Sequence, residues 1–229
     1  MIRNSVFFFA VLGLFAIARF WPSYFSRVGQ DANLHVQLHG AVIGLWCVML
    51  IAQAYLIRSD HRAAHHVVGK FSYVLAPVIA LATLSLMHFR LRGAGNAPSA
   101  ELLYFLYVQF SVLLLFVICY SLAMINRHTP SVHAGWMVCT GLTLVDPVFA
   151  RLLSNYLHVA PPLLQIITYA IIDLLLLWLI VWGRRQPRPV KLFPVVLAIF
   201  LAAQIPTFFI TNTAAWRAIA LWYGALPIP

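Results

Sequence analysis

The sequence predicts an all-α protein, a polytopic membrane helical bundle of about seven transmembrane helices that forms one domain over residues 1–229. Hydrophobic residues make up 63% of the 229 residues and charged residues only 9%, and the mean hydropathy is +0.90. A soluble domain carries about a quarter charged residues, so water is not the expected main solvent. The apolar residues also form long runs, and about 20 of them suffice for a helix to cross a bilayer. We therefore expect the lipid bilayer to be the main partner.

Seven apolar runs have the length of a transmembrane helix. We predict spans at residues 5–21, 34–57, 67–89, 101–125, 132–150, 162–183 and 191–211. The second run and the interior of the fourth are free of charged residues, which makes these two spans the clearest. The fifth and sixth runs each contain one carboxylate, Asp146 and Asp173. The seventh contains Pro194 and Pro206, so we expect a kink there.

The first run and the tail need separate arguments. The first run has the appearance of a signal peptide because it ends in Ala16-Ile17-Ala18, but Arg19 and the aromatic residues after it favour an uncleaved first helix. The tail, residues 214–229, combines basic and aromatic side chains. It is therefore predicted to be an interfacial segment rather than an eighth span.

The basic residues predict the orientation. The net charge of +10 comes from 15 Lys+Arg against 5 Asp+Glu, and the basic residues lie in short connections between apolar runs. This placement is typical of topology signals and lipid-headgroup contacts, so nucleic acid is not an expected partner. With seven spans, nine basic residues share the side of the N-terminus: Arg3, Arg58, Arg62, Lys70, Arg127, Arg184, Arg185, Arg188 and Lys191. Six lie on the other side: Arg19, Arg27, Arg90, Arg92, Arg151 and Arg217. The excess favours a bacterial inner-membrane protein with a cytoplasmic N-terminus.

The polar residues of the second predicted helix fall on one face. At 100° per residue, His35, His39, Trp46 and Gln53 lie within a stripe about 60° wide. Ionisable groups at membrane depth are costly and almost always face the bundle interior or a water-filled cavity. This stripe is therefore predicted to face the interior and to form part of a site.

The histidines divide into two layers. The predicted topology places His61, His65, His66, His128 and His133 at the inner ends of the spans, and His35, His39, His88 and His158 at the outer ends. His65 also begins a face of small residues on the third helix, which is equally typical of a helix-packing seam. Two polar layers separated by an apolar middle are therefore expected.

Two further helices carry carboxylates inside apolar runs. The sixth helix aligns Gln165, Tyr169 and Asp173 on one side, with Asp173 near mid-membrane. A structural hydrogen bond to another helix is the alternative to a functional role for Asp173. Asp146 precedes Pro147 closer to the outer end, and a local pairing with Arg151 would explain this carboxylate without a function.

Three site hypotheses follow. His35 with His39, and His61 with His65, have the i, i+4 spacing by which two imidazoles share a metal ion, so His35, His39, His65 and His66 are candidate metal ligands. A haem or other cofactor held by His39, His65 and His133 is the second hypothesis. In the third, the histidines, Gln53 and Asp173 line a path for protons or a small solute. Other polar residues assigned to the candidate site are Trp46, Tyr169 and Arg151.

These hypotheses correspond to different classes of function. The leading one is a metal- or haem-binding membrane protein with a redox role, although the topology separates His35 and His39 from the inner histidines and so weakens a single di-metal site. A transporter or proton-coupled carrier is the first alternative. An accessory or assembly subunit of a larger complex, with other membrane subunits as partners, is the second. The sequence leaves the cofactor, the substrate and any enzymatic activity open.

Two blocks of residues carry a resemblance. The first comprises Trp21-Pro22-Ser23-Tyr24-Phe25, His39-Gly40, Trp46, Gln53, Leu56-Ile57-Arg58, His65 with Gly69-Lys70, and Ser72-Tyr73 with Pro77. The second runs from Pro130 through His133 and Met137 to Pro147 and Arg151, with Asp173 after it. Together they resemble a family of bacterial multi-span membrane proteins without an assigned function, except that Ala134-Gly135 stand where the family usually has basic residues. The resemblance implies a helical bundle and singles out His39, His65, His133 and Asp173.

Overall fold

The fold is entirely helical in the part of the chain that the structure describes. The computed structural model describes residues 5–20, 33–157, 161–184 and 191–228. Within them the chain forms eleven helices: α1 (Ser5–Phe20), α2 (Leu34–Arg58), α3 (Arg62–Lys70), α4 (Ser72–Ala94), α5 (Ala100–Ile125), α6 (Pro130–Leu142), α7 (Val145–Leu157), α8 (Pro161–Arg184), α9 (Phe193–Gln204), α10 (Thr207–Ile210) and α11 (Ala214–Gly224). The predicted fold class, an all-α helical bundle, is confirmed.

Six segments of the described residues are long and apolar enough to cross a membrane. They are Leu34–Arg58, Arg62–Ala94, Ala100–Ile125, Pro130–Ser154, Leu163–Arg184 and Phe193–Ile210. The protein is therefore a multi-pass membrane protein, and six of the seven predicted spans are matched. The first predicted span, 5–21, corresponds to α1, whose 16 residues fall short of the roughly 20 that a crossing needs.

Some residues used in the sequence predictions lie outside the described residues. They are the Trp21–Phe25 motif, His158, and the basic residues Arg3, Arg27, Arg185 and Arg188.

Three of the six spanning segments consist of two consecutive helices each, namely α3 with α4, α6 with α7, and α9 with α10. α6 ends at Leu142 and α7 begins at Val145. Pro147 lies in the first turn of α7, where an N–H group has no partner within the helix, so its missing N–H costs no hydrogen bond. α9 ends at Gln204, and Pro206 is the N-cap of α10. The break expected at Pro206 is therefore present, whereas Pro194 lies in the first turn of α9 and does not interrupt a helix.

The connections define two ends of the bundle. We call the end where α2 leads into α3 and α5 into α6 the His61 end, and the end where α4 leads into α5 the Gly95 end. Gly95 follows α4 with a φ of +59°, a left-handed conformation that glycine adopts without strain.

The core lies between α2, α5, α6, α8 and α9. Trp46, Cys119, Cys139, Leu176 and Phe193, one from each of these helices, are all 0% exposed. α2 packs against α1 and α4, α5 against α6, and α8 against both α7 and α9. This packing brings the polar faces of α2, α4 and α8 inside the bundle.

The tail packs on α4 and α5. Trp216 on α11 donates its indole N–H to the carbonyl oxygen of Leu103 at 2.9 Å. The Tyr223 hydroxyl donates to the carbonyl oxygen of Leu84, also at 2.9 Å. These two bonds attach α11 to both helices, because Leu84 belongs to α4 and Leu103 to α5.

The outer surface of the long helices is apolar. Large exposed side chains occur on each of them, including Leu45, Leu81, Leu114, Leu174 and Val195. Contact with lipid removes this surface from water, which is the favourable environment for it.

Gly141 is predicted to tolerate no side chain because α1 passes close to α6 there. A Cβ at Gly141 would lie 2.6 Å from the Phe9 ring, well inside van der Waals contact. We expect Gly141→Ala to lower the free energy of unfolding by about 1–3 kcal/mol, the usual cost of overpacking. Thermal unfolding of the purified protein in detergent measures the change.

Gly44→Ala is the matched control for Gly141→Ala. Nothing lies within 4 Å of a Cβ at Gly44, which is also helical. This variant should unfold at the wild-type temperature or slightly above it, since Ala is the better helix former. Equal stability of the two variants would show that α1 does not pack on α6 as described.

Candidate functional site

Buried and half-buried polar side chains of the described residues form three groups. The histidine–hydroxyl group lies between α2 and α4 and comprises His35, His39, Thr83 and Ser85. The glutamine–histidine group lies nearer the His61 end and comprises Trp46, Gln53 and His65. The carboxylate group lies between α5, α7, α8, α9 and α10 and comprises Tyr104, Asp146, Gln165, Thr168, Tyr169, Asp173, Gln204 and Thr207.

In the histidine–hydroxyl group, each imidazole meets a hydroxyl of α4. His35 Nδ1 lies 2.7 Å from Ser85 Oγ, and His39 Nδ1 lies 3.2 Å from Thr83 Oγ1. The Thr83 hydroxyl donates its proton to the carbonyl oxygen of Ile79 at 2.7 Å. The hydroxyl therefore accepts from His39, which places the proton of the neutral imidazole on Nδ1. The predicted polar face of α2 thus meets α4.

These contacts separate the predicted metal ligands. From His39 to the His61 end, α2 continues for 19 residues, about 28 Å at 1.5 Å per residue. His65 interacts with the main chain of Gln53, which lies 14 residues, about 21 Å, along α2 from His39. The rings of His65 and His66 are 5.7 Å apart. Among the described residues, no group of three or more His, Cys, Asp or Glu side chains is arranged to hold a metal ion. His35 and His39 therefore do not join His65 and His66 in one set.

The predicted cofactor set divides in the same way. His65 interacts electrostatically with His133, so these two share the His61 end of the bundle. His133 Nδ1 donates to the carbonyl oxygen of Ala123 at 2.9 Å. His39 instead lies near Arg90 and Arg151, with which it interacts electrostatically. Arg151 is thus associated with the histidine–hydroxyl group.

The glutamine–histidine group contains buried polar atoms without partners. Gln53 is 8% exposed, and neither Oε1 nor Nε2 has a hydrogen-bond partner among the described residues. The same is true of Trp46 Nε1 and His65 Nδ1. The His65 ring interacts with the main chain of Gln53, which joins α3 to α2. Such atoms are rare in folded proteins, and each costs about 1–3 kcal/mol when nothing bonds to it.

A hydrogen-bonded chain lies beside this group. The Tyr120 hydroxyl on α5 donates to Ser72 Oγ at 3.0 Å, and Ser72 donates to the carbonyl oxygen of Gly69 at 2.6 Å. The Tyr120 ring also contacts the Trp46 ring edge-on, with centroids 5.6 Å apart. These contacts fix the walls around Trp46 and Gln53.

In the carboxylate group, α7 presents Asp146 to α8. Asp146 is 3% exposed, and its Oδ1 accepts hydrogen bonds from Gln165 Nε2 and Thr168 Oγ1, both at 2.6 Å. The break between α6 and α7 places Asp146 in the first turn of α7, where free N–H groups and the helix dipole favour a carboxylate. Arg151 is exposed on the same helix, and its expected local pairing with Asp146 stays a prediction.

The carboxylate group continues along α8. The Tyr169 hydroxyl lies 3.0 Å from Thr207 Oγ1 on α10. One turn further, the Asp173 carboxylate interacts with the Gln204 side chain at the end of α9. Asp173 Oδ1 and Gln204 Nε2 nevertheless lack a partner of hydrogen-bond geometry among the described residues. The face predicted from Gln165, Tyr169 and Asp173 therefore points to α7, α9 and α10.

A small cavity lies beside Asp146 and beside Gln204, the side chain that interacts with Asp173. Its volume is about 10 Å³, close to the space for one water molecule. The polar residues that border it are Ser111, Thr143, Asp146, Tyr169 and Gln204, together with apolar residues of the same helices. The cavity lies where α6 gives way to α7 and where α9 ends, so both interrupted helices border it.

The sequence analysis missed several members of this group. Tyr104, Thr168, Thr207 and Ser111 are polar residues within apolar helices, and their one-dimensional pattern does not distinguish them from packing residues. The Asp146-Pro147 pair was the available signal, because a proline after a polar residue in a membrane span indicates a break. The expected apolar middle between two histidine layers is occupied in part by this group.

The chain was compared with family models, with curated proteins and with solved structures, and none of them matches it. The resemblance to a bacterial membrane protein family therefore stays a prediction.

Thr168 should contribute measurably to stability through Asp146. Thr168 is 0% exposed, and Thr168→Val keeps its shape while removing the donor to Oδ1. We expect the free energy of unfolding to fall by about 1–3 kcal/mol, since a buried acceptor loses a partner. Thr129→Val is the control, because Thr129 is exposed and its hydroxyl makes no capping bond. If both variants unfold at the same temperature in detergent, the Thr168 bond does not hold Asp146.

Proposed function

We propose that the protein is a proton-coupled carrier of the bacterial inner membrane and that Asp146 is its proton-binding group. The observation that carries this proposal is a buried carboxylate beside a small cavity between two interrupted helices. Asp146 is 3% exposed and shares the cavity with Thr143, at the break after α6, and with Gln204, at the end of α9. Interrupted membrane helices that meet at a polar site near mid-membrane are a recurring feature of secondary transporters.

The surroundings of Asp146 suit a proton-binding role. Gln165 and Thr168 donate to the carboxylate and are neutral. The titratable side chains that face it are Tyr104 on α5 and Tyr169 on α8, both close enough to interact electrostatically. An ionised carboxylate is costly in an apolar interior without a cation, so gain or loss of a proton changes the energy of this packing strongly. Proton binding is therefore a means to shift the bundle between two arrangements.

The histidines support a carrier better than a redox centre. Nδ1 of His35 and of His39 each meet a hydroxyl, and His133 Nδ1 bonds a carbonyl oxygen. Three ligands for one metal do not converge among the described residues. Hydroxyl–imidazole pairs instead resemble the polar steps of a membrane proton path.

The charges at the two ends support an orientation with the His61 end in the cytoplasm. The basic residues near this end include Arg58, Arg62, Lys70, Arg127, Arg184 and Lys191. Those near the Gly95 end are Arg19, Arg90, Arg92, Arg151 and Arg217. Cytoplasmic connections of membrane proteins carry the excess of Lys and Arg.

Proton uptake into vesicles tests this function. The protein is reconstituted into vesicles that contain a pH-sensitive dye, and panels of carboxylates, amino acids, sugars and amines are added outside. We expect one panel to drive proton entry through the wild type and Asp146→Asn to reduce it to the level of protein-free vesicles.

Asp60→Asn is the matched control for Asp146→Asn. Asp60 is exposed near the His61 end and pairs with Arg62 at 3.0 Å, so the same chemical change there should leave proton entry intact. Wild-type proton entry in Asp146→Asn, or no proton entry with any of the four panels, would contradict the proposed carrier.

A further inference from the structure

The glutamine–histidine group presents an excess of hydrogen-bond donors. Gln53 Nε2, Trp46 Nε1 and His65 Nδ1 have no partner among the described residues. The first two are N–H donors, and His65 Nδ1 donates when the imidazole is protonated, because the ring also bonds the main chain of Gln53. Gln53 Oε1 is an unpartnered acceptor. Trp46 and Gln53 are seven residues apart on α2, two turns along one face. A line of donors therefore runs from His65 towards the middle of the bundle.

The approach to this group is positively charged. His66, Lys70 and Arg127 are exposed at the His61 end. Among the described residues there, Asp60 is the one acidic side chain, and it is already paired with Arg62. A field of one sign concentrates ions of the opposite sign at such an opening. The charge favours an anion from the aqueous phase.

The inner end of the group has aromatic walls. The Trp46 ring contacts Phe116 edge-on at 5.0 Å and Tyr120 at 5.6 Å between centroids. On the side of α3, a Cβ at Gly69 would lie 3.6 Å from Gln53 Nε2, so the glycine lets the amide approach the helix backbone. Polar donors next to flat apolar surfaces suit an anion with an apolar body.

We infer that the glutamine–histidine group binds a small carboxylate anion, with Gln53, His65 and Trp46 as hydrogen-bond donors. Neutral and charge-assisted donors of this kind recognise the two oxygens of a carboxylate. That the protein transports this anion rests on the proposed carrier function, whereas binding of the anion does not. A carboxylate and a proton would then move together, with the proton on Asp146.

Ligand-dependent unfolding tests the binding site. Full-length protein in detergent is heated with sodium benzoate or sodium acetate, and with the uncharged amides benzamide and acetamide as matched probes. A ligand that binds the folded state raises the unfolding temperature in a saturable way. We expect both carboxylates to raise it and both amides to leave it unchanged.

Gln53→Leu should weaken carboxylate binding about tenfold or more, since a hydrogen bond to a charged group is lost. Gln109→Leu is the matched control: Gln109 is half-buried on α5 and accepts from Arg90 at 3.5 Å, towards the Gly95 end. The Gln109→Leu variant should bind benzoate with the affinity of the wild type. If Gln53→Leu does not fold, Trp46→Phe removes one donor and keeps an aromatic ring, with the same direction of effect.

Three results would overturn the inference: no shift with either carboxylate, an equal shift with the amides, or wild-type affinity in the folded Gln53 or Trp46 variant. The vesicle experiment separates this inference from the carrier function. Carboxylate binding without proton entry from any panel would overturn the carrier and leave the binding site. Proton entry driven by another panel, with no carboxylate binding, would leave the carrier and overturn the binding site.

Discussion

Every backbone polar group inside a membrane bundle must find its partner within the protein, because lipid offers none. The backbone breaks of this chain obey that constraint. At the end of α6, Thr140 donates to the carbonyl oxygen of Met137 at 2.7 Å, and Thr143 donates to that of Thr140 at 2.8 Å. After α10, the Thr211 hydroxyl donates to the carbonyl oxygen of Thr207 at 3.0 Å. Hydroxyls thus satisfy carbonyls that an interrupted helix leaves free, and the interruptions persist inside an apolar bundle.

The proposed carrier links the two sites through shared helices. The segment Pro130–Ser154 carries His133 at the His61 end and Asp146 past the break between α6 and α7. α5 borders both sites, with Tyr120 near Trp46 and Ser111 at the cavity beside Asp146. In the proposed carrier, a change of protonation at Asp146 would act on the segment Pro130–Ser154, whose His133 interacts with His65 of the glutamine–histidine group. This arrangement meets the physical requirement for coupling, which is one element whose position both sites influence.

Local features of the sequence predicted the fold better than the site. Hydropathy located the spans because the length of an apolar run is a local property, and the 100° periodicity located His39 and Gln53 on one face of α2. The partner of His39 was not predictable, since Thr83 lies 44 residues away and their contact depends on which helices are neighbours. The partners of Asp146 on α8 were not predictable for the same reason. Gln165 and Thr168 lie 19 and 22 residues away, and the start of α7 directs the carboxylate to them.

In the proposed carrier, the bonds of the tail limit which helices can move. Its bonds reach the Leu84 carbonyl on α4 and the Leu103 carbonyl on α5, and His88 of α4 donates back to the carbonyl oxygen of Leu226 at 2.9 Å. These bonds join α4, α5 and α11. The helices that carry breaks, α6 with α7 and α9 with α10, make none of these three bonds. In the proposed carrier, the joined helices would be the stationary part and the interrupted helices the hinged part, with the Asp146 cavity between them.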